Sequence, residues 1–260
     1  MPGYRHSARR SSDWMTEVPV GGAVPRFELA EWRERFRVVA GITGRGAGQP
    51  FDLGLAGMAA PVGAVMDRWR ALRQSLPEFS AIAVSRQVHG TSLLWHQAVS
   101  GLQIHEGADG HGTNQAGVLL AVTAADCVPV YLVDPARRVI ALLHAGWRGV
   151  AGGILARGVA LLEDRGSIVD NLLVHCGVGI CGACYEVGSE VFTGCGLAVP
   201  VGGKGPLDLR ARLAEQAVHL GVRHISTSHL CSKHDGASFF SHRGSGGRDG
   251  RMVAYLGLLP

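Results

Sequence analysis

The sequence predicts a layered α/β (α+β) domain. Short, strongly apolar runs with strand character alternate with segments whose apolar residues recur at helical spacing, and the connections between them are short and glycine-rich. No internal repeat or long linker interrupts the pattern, so the simplest organisation is one domain over residues 18–260 after a polar, disordered start over 1–17. With 260 residues and 47% hydrophobic content, the chain has enough apolar material to close a sizeable core.

Each element follows from its residues. FRVVAGITGR (36–45) reads as a strand entering a glycine-rich loop. Between Pro61 and Leu76, apolar Val62, Val65, Met66, Trp69, Leu72 and Leu76 share one helical face and arginines occupy the other. SAIAV (80–84) is a short strand delivering His89 just past its end. GVLLAVTAADCVPVYLVD (117–134) holds two strands broken at Ala-Ala-Asp-Cys, with Pro129 keeping the preceding residue extended. VIALL (139–143) is a buried strand, and residues 150–166 form a helix closed by Gly166. Residues 171–180 make another strand, and Asp208 caps a helix that ends at Gly221. RHISTS and RMVAYLGLL supply the last strands.

Composition excludes several function classes. The net charge is +4, but the basic residues are nearly all arginine and are spread along the chain, unlike a nucleic-acid-binding face. No apolar run approaches the roughly 20 residues that span a bilayer. The N-terminal MPGYRHSARRSSDWMTE lacks the apolar stretch of a secretory signal, so a cytoplasmic protein is expected, with no nucleic-acid or membrane partner. A monomer is the expected state. In that compartment, the six cysteines point to metal ligation or catalysis before disulfides.

His89, Cys127 and His144 each follow an apolar strand and sit beside a glycine or small residue. They are too far apart in sequence for a local finger, but neighbouring strands would bring them to one edge, where sites of layered α/β folds collect. Two imidazoles and a thiolate suit zinc with an open fourth position, as in catalytic sites. The plain alternatives are a hydrogen-bonded strand-end histidine and an inert core cysteine. In HAGWRG, Gly146 and Gly149 are expected to let the backbone turn tightly and bring Trp147 and Arg148 around a pocket.

RQVHG (86–90), AADCVPV (124–130) and HAGWRG (144–149), followed by CYEVGSEVF, DLRARLAEQ, FFSHR and GRM in order, resemble the signature blocks of the YfiH-like family, also called the polyphenol-oxidase or laccase-domain family. The resemblance implies a single layered α/β/β/α domain with mixed sheets and a zinc site at His89, Cys127 and His144, copper being the weaker choice. It also implies a purine nucleoside phosphorylase acting on adenosine, inosine or methylthioadenosine, with adenosine deamination as a second activity. Nucleoside and phosphate would then be the small-molecule partners, and Arg86, Arg148 and Arg243 the substrate contacts, since guanidinium forks match phosphate. Two departures touch substrate contacts: FDLGLAG lacks the family's usual asparagine before Leu-Gly, and a single Arg243 replaces a common arginine pair.

Two rival chemistries remain: a Cys127–His144 hydrolase working in peptidoglycan-precursor editing, and a copper-dependent polyphenol oxidase. Two histidines and one cysteine cannot assemble several copper centres, and no axial ligand is identified. The ordinary zinc deaminase pattern is absent. Asp126 and Asp109 are read as turn aspartates that could instead orient a ligand histidine. Surface solvation is the plainest reading of Arg251. CGAC (181–184), with Cys231 and His234 downstream, has the residues of a redox dithiol or half of a structural zinc site, but the gap exceeds ordinary zinc-ribbon spacing, and family habit before Tyr-Glu-Val is the plainer account of the cysteines, whose role the sequence leaves open.

Overall fold

The computed structural model describes residues 16–260 apart from 56–59 and 98–99. In chain order the elements are β1 (Val18–Val20), β2 (Arg26–Glu28), α1 (Ala30–Phe36), β3 (Val38–Thr43), α2 (Val62–Gln74), β4 (Ala81–Arg86), β5 (Leu93–His96) and β6 (Gly101–Glu106). Next come β7 (Gly110–Thr113), β8 (Val118–Ala124), β9 (Val128–Asp134), β10 (Val139–Ala145), α3 (Trp147–Ala151), α4 (Ile154–Glu163) and β11 (Leu173–Cys176). The chain continues with β12 (Glu186–Gly188), α5 (Ser189–Gly194), β13 (Lys204–Pro206), α6 (Leu209–His219), β14 (His224–Thr227), α7 (His242–Ser245) and β15 (Met252–Leu258).

The strands form a seven-stranded sheet ordered β1-β2-β3-β15-β8-β4-β6 and a six-stranded sheet ordered β14-β11-β9-β10-β7-β5, with β12 and β13 paired apart. Both large sheets are mixed. β8 is antiparallel to β15 and parallel to β4, while β11 is parallel to β14 and antiparallel to β9.

Alternation along the strands builds the layers. Leu120 and Val122 of β8 face inward with Ala254 and Leu256, meeting Tyr131, Val133, Ile140 and Leu142 of the other sheet. Leu119, Ala121, Val253 and Tyr255 face outward onto Val65, Trp69 and Leu72 of α2. On the far side, Val130, Leu132, Ala141 and Leu143 pack on Ile154, Leu155, Val159 and Leu162 of α4 and on Leu213 and Ala217 of α6. This is the expected α/β/β/α arrangement. Burial on both faces explains why the central strands read as continuous apolar runs.

Some elements differ from the sequence reading. The helix expected over 150–166 is two helices, because Gly153 adopts φ +78 between them. The strand expected over 171–180 is confined to β11, with a 3-10 turn before it at Val169–Asn171. β7 was invisible: Gly-His-Gly-Thr has no apolar pattern, yet all four residues are buried. A Cβ on Gly112 would lie 2.9 Å from Leu161 and 3.0 Å from Trp95, so any larger residue there would have to push both side chains aside. Of the segment 1–17, only Thr16 and Glu17 are described; buried Glu17 meets His175 of β11 at 3.0 Å. No helix among the described residues is long and apolar enough to cross a membrane.

The sheets are joined by a polar contact as well as by packing. Tyr131 of β9 donates its hydroxyl to the Gly41 carbonyl of β3 at 2.8 Å, in a fully buried setting. Tyr131→Phe removes that bond and leaves the carbonyl without this partner. The variant should lose about 1–2 kcal/mol of stability in urea denaturation; an unchanged midpoint would show that the contact contributes nothing.

Candidate metal centre

His89, Cys127 and His144 come from three different turns and strand ends. His89 lies in the loop after β4, Cys127 in the turn between β8 and β9, and His144 at the end of β10. Their ligand atoms all lie within 4.8 Å of one another. The two imidazoles stand edge to face with centroids 4.9 Å apart. His144 is buried and His89 exposed, so the cluster opens on one side.

Asp109 organises this cluster. Its carboxylate, fully buried, accepts the backbone N–H groups of Val88, His89 and Gly90 at 3.2, 2.9 and 2.7 Å. The same group binds His144 Nδ1 at 2.9 Å, which leaves Nε2 as the ring nitrogen for the cluster. Asp109 is therefore a histidine-orienting residue, one of the two readings open from sequence. His89 takes φ +59, a left-handed conformation that a non-glycine residue adopts at a cost of about 1–2 kcal/mol. The three N–H bonds to one carboxylate offset that strain.

Asp126 does something else. At φ +88 it shapes the β8–β9 turn, and its carboxylate accepts the Ser232 and Ser241 hydroxyls at 2.6 and 2.7 Å and the Arg243 N–H at 2.6 Å. It anchors the 232–243 segment beside Cys127.

Burial alone would raise the Cys127 thiol, but the His144 charge beside it and hydrogen bonds from His144 and His89 bring it down to about 6. Burial would likewise lower His144, but Cys127 and Asp109 raise it to about 9. Burial would raise the Asp109 carboxyl too, and its bonds to His144 and the Gly90 N–H hold it below the ordinary range.

Glycines in HAGWRG act by close approach. Gly146 has φ −77, so no turn demands it; a Cβ there would lie 3.0 Å from Cys127 Sγ and 3.2 Å from His89. At Gly149 a Cβ would lie 3.2 Å from the Gly90 carbonyl. Trp147 and Arg148 begin α3, and the Arg148 guanidinium lies 4.4 Å from the Trp147 ring.

The cluster floors a cavity of about 470 Å³ that also holds Arg86, Arg148, Arg243, Arg251, Trp147 and Tyr185. Exposed Arg86 is paired with Glu106 at 2.7 Å. Arg243 lies over Tyr185 at 5.1 Å and donates to the Glu186 carbonyl, and Arg251 donates to the carbonyls of Asp249 and Gly250. Among the described residues, Arg148, Arg243 and Arg251 have no carboxylate partner, so their charge is available to an anion. Arg251 thus belongs to the cavity rather than to a solvated surface. Its backbone N–H is held at 2.8 Å by Asp52, the residue standing at the FDLGLAG departure.

Gln87 and His242 also line the cavity and were missed, although both lie inside motif blocks already singled out. Gln87 clamps Thr123, accepting its N–H at 2.7 Å and donating to its carbonyl at 2.8 Å. A second group forms around CGAC despite the spacing: Cys181, Cys184, Cys231 and His234 also bring one ligand atom each within 4.8 Å of one another. The gap along the chain is long, but β11 and β14 are adjacent parallel strands, so the loops after them meet.

The family pattern described as multi-copper polyphenol oxidoreductase laccase matches residues 49–259. The chain belongs to this laccase-domain family. Among its relatives, a purine nucleoside phosphorylase of Streptomyces griseus is 32% identical over 76% of this chain and 82% of its own. The purine nucleoside phosphorylase YlmD of Geobacillus stearothermophilus is 39% identical over 58% of this chain, and the match spans only 60% of that relative's length. A protein named adenosine deaminase RL5, from an unknown prokaryotic organism, is 38% identical over 56% of this chain and 60% of its own. The crystal structure of YlmD from Geobacillus stearothermophilus superposes with a TM-score of 0.82 at 29% identity, covering 94% of this chain and all of that one. YfiH from Bacillus licheniformis gives 0.80 at 26% identity over 90% and 96%.

Two outcomes follow from the geometry. In metal-free protein, alkylation of the Cys127 peptide by iodoacetamide, followed by mass spectrometry, should be half-maximal near pH 6 and fall below it; a midpoint near the free-thiol value of about 8.5 contradicts the thiolate assignment. Asp109→Ala should weaken the affinity for an added divalent metal roughly 10–100-fold in a chelator competition, and an unchanged affinity would remove Asp109 from its orienting role.

Proposed function

We propose that this chain is a zinc-dependent purine nucleoside phosphorylase, splitting adenosine, inosine or methylthioadenosine, with adenosine deamination as a side activity. The observation that carries the metal is the convergence of His89, Cys127 and His144 within 4.8 Å beneath an arginine-lined cavity. The printed names of the relatives support the nucleoside. Two nitrogens and one sulfur fit zinc, and three protein donors keep a position open, as catalytic sites require. An ion held there would supply Lewis acidity to an oxygen at that open position.

The chain's own residues do the rest. Arg148, Arg243 and Arg251 hold phosphate and neutralise its charge with guanidinium hydrogen bonds. Tyr185 and Trp147 offer aromatic faces for the purine. Asp109 keeps His144 in one tautomer and orientation. In phosphorolysis a phosphate oxygen forms a bond to C1′ of the ribose, the C1′–N9 bond breaks, and its electron pair leaves with the purine, which takes up a proton. Arg86, tied to Glu106 at the exposed rim, is the weakest of the expected anion contacts. The expected cytoplasmic location and monomeric state belong to the same reading.

A second reading has its own support. Cys127, His144 and Asp109 are arranged as a nucleophile, a base and an orienting carboxylate, which is the layout of a thiol hydrolase. The two differ under chelation: a zinc mechanism loses activity with EDTA and recovers with metal, whereas a thiol mechanism survives EDTA.

Product chromatography on a nucleoside panel, with and without phosphate, tests the proposal. Free base and a sugar 1-phosphate should form only with phosphate, and Cys127→Ala should lose more than about 100-fold in turnover. Arg148→Ala should raise the KM for phosphate roughly tenfold with a smaller change in kcat. Equal turnover in wild type and Cys127→Ala would reject the mechanism.

A further inference from the structure

We infer that Cys181, Cys184, Cys231 and His234 form a second, structural zinc site that staples together two walls of the cavity. The donor set is three thiols and one imidazole, a closed complement of four. Closed sets of this composition hold zinc for structure, whereas the three-donor cluster at His89 leaves a position open.

The ligands arrive as two short hooks. Cys-Gly-Ala-Cys lies in the loop after β11, and Cys-Ser-Lys-His in the loop after β14. The parallel pairing of those strands puts the hooks side by side, and an isolated bridge between Gly179 and Cys231 fixes their relative position. His234 stands between two sulfurs, with Nε2 3.3 Å from Cys184 Sγ and Nδ1 3.5 Å from Cys181 Sγ. Zinc–sulfur bonds of about 2.3 Å set tetrahedral ligands roughly 3.5–3.8 Å apart, so a His234 ring turned to present one nitrogen to all three sulfurs, with the four atoms drawn in from within 4.8 Å, completes the set.

Cys231 carries a further mark of a thiolate ligand. Its sulfur accepts the backbone N–H groups of Cys181 at 3.3 Å and His234 at 3.5 Å, one from each hook. Backbone donors aimed at sulfur favour its charged form, which is the form that binds metal. A Cys181–Cys184 disulfide would use two of the four groups and give Cys231 and His234 no part.

The position gives the site a purpose. Cys184 precedes Tyr185, and the 231–234 hook leads into the segment carrying His242 and Arg243, all three lining the cavity. Both hooks are also bound to Asp126, through the Ile180 N–H at 2.9 Å and the Ser232 hydroxyl at 2.6 Å. Asp126 adjoins Cys127, so the ion would fix the aromatic and arginine wall relative to the first cluster.

Cys127→Ala removes the only thiolate of the first cluster and leaves this one whole. Purified and folded by circular dichroism, that variant should retain about one equivalent of zinc per chain and, after exchange to cobalt(II), show sulfur-to-cobalt charge-transfer absorption. Adding Cys184→Ser should reduce the intensity of the absorption, because two of three sulfurs remain, and weaken zinc retention at least roughly tenfold. Absence of the absorption in folded Cys127→Ala, or undiminished intensity and zinc retention in the double variant, overturns the assignment. Wild-type protein gives an independent check that needs no variant to fold. Cys181, Cys184 and Cys231 should resist N-ethylmaleimide until a chelator is added, and equal labelling with and without zinc, or a Cys181–Cys184 disulfide in place of metal, overturns it as well.

Discussion

The Asp109 carboxylate is the constraint on which the first cluster depends. A carboxylate taken out of water costs several kcal/mol unless its oxygens are satisfied. Here three successive backbone N–H groups and one imidazole satisfy them, and each bond also positions something. The N–H groups hold the His89 loop in a conformation that a non-glycine residue would otherwise avoid, and the imidazole bond turns His144 toward Cys127. One buried charge thus sets the geometry of two donors that lie on different sheets' connections.

The four-layer architecture explains why so much of the site was legible in the sequence and where legibility ended. β4, β8, β9 and β10 are buried on both faces, so their apolar runs stop abruptly where the chain leaves the core. His89, Cys127 and His144 stand at or beside those stops, and their chemistry shows against an apolar background. Asp109 gave no comparable signal, because a turn aspartate and a histidine-orienting aspartate look alike until the partner is in place. β7 was hidden because its Gly-His-Gly-Thr sequence answers to close packing against Leu161 and Trp95, a tertiary demand without local periodicity. The break between α3 and α4 was missed because apolar spacing continues across it while the Gly153 backbone turns.

The nearness of the CGAC and CSKH segments was hidden for a different reason. Distance along the chain was read as distance in space, but the intervening elements return the chain to a strand parallel to β11. Two Cys-x-x-Cys/His hooks in separate loops after adjacent parallel strands are as near as those of a compact finger. The two clusters also divide their labour in a way that the family's copper-oxidase description does not suggest. One is open, at the floor of an arginine-lined cavity; the other is closed, behind the wall that carries Tyr185 and Arg243. Asp126 lies between them, bonded to both hooks and next to Cys127, so the same turn that presents a donor to the first cluster is braced by the second.

Crystals of the zinc-loaded protein, with anomalous diffraction recorded at the zinc edge, test the central claim most directly. The account predicts a peak about 2.0–2.3 Å from Cys127 Sγ and from one ring nitrogen each of His89 and His144, with His144 Nδ1 still on Asp109. No peak at that position, or a zinc ion there with either histidine turned away, would contradict it.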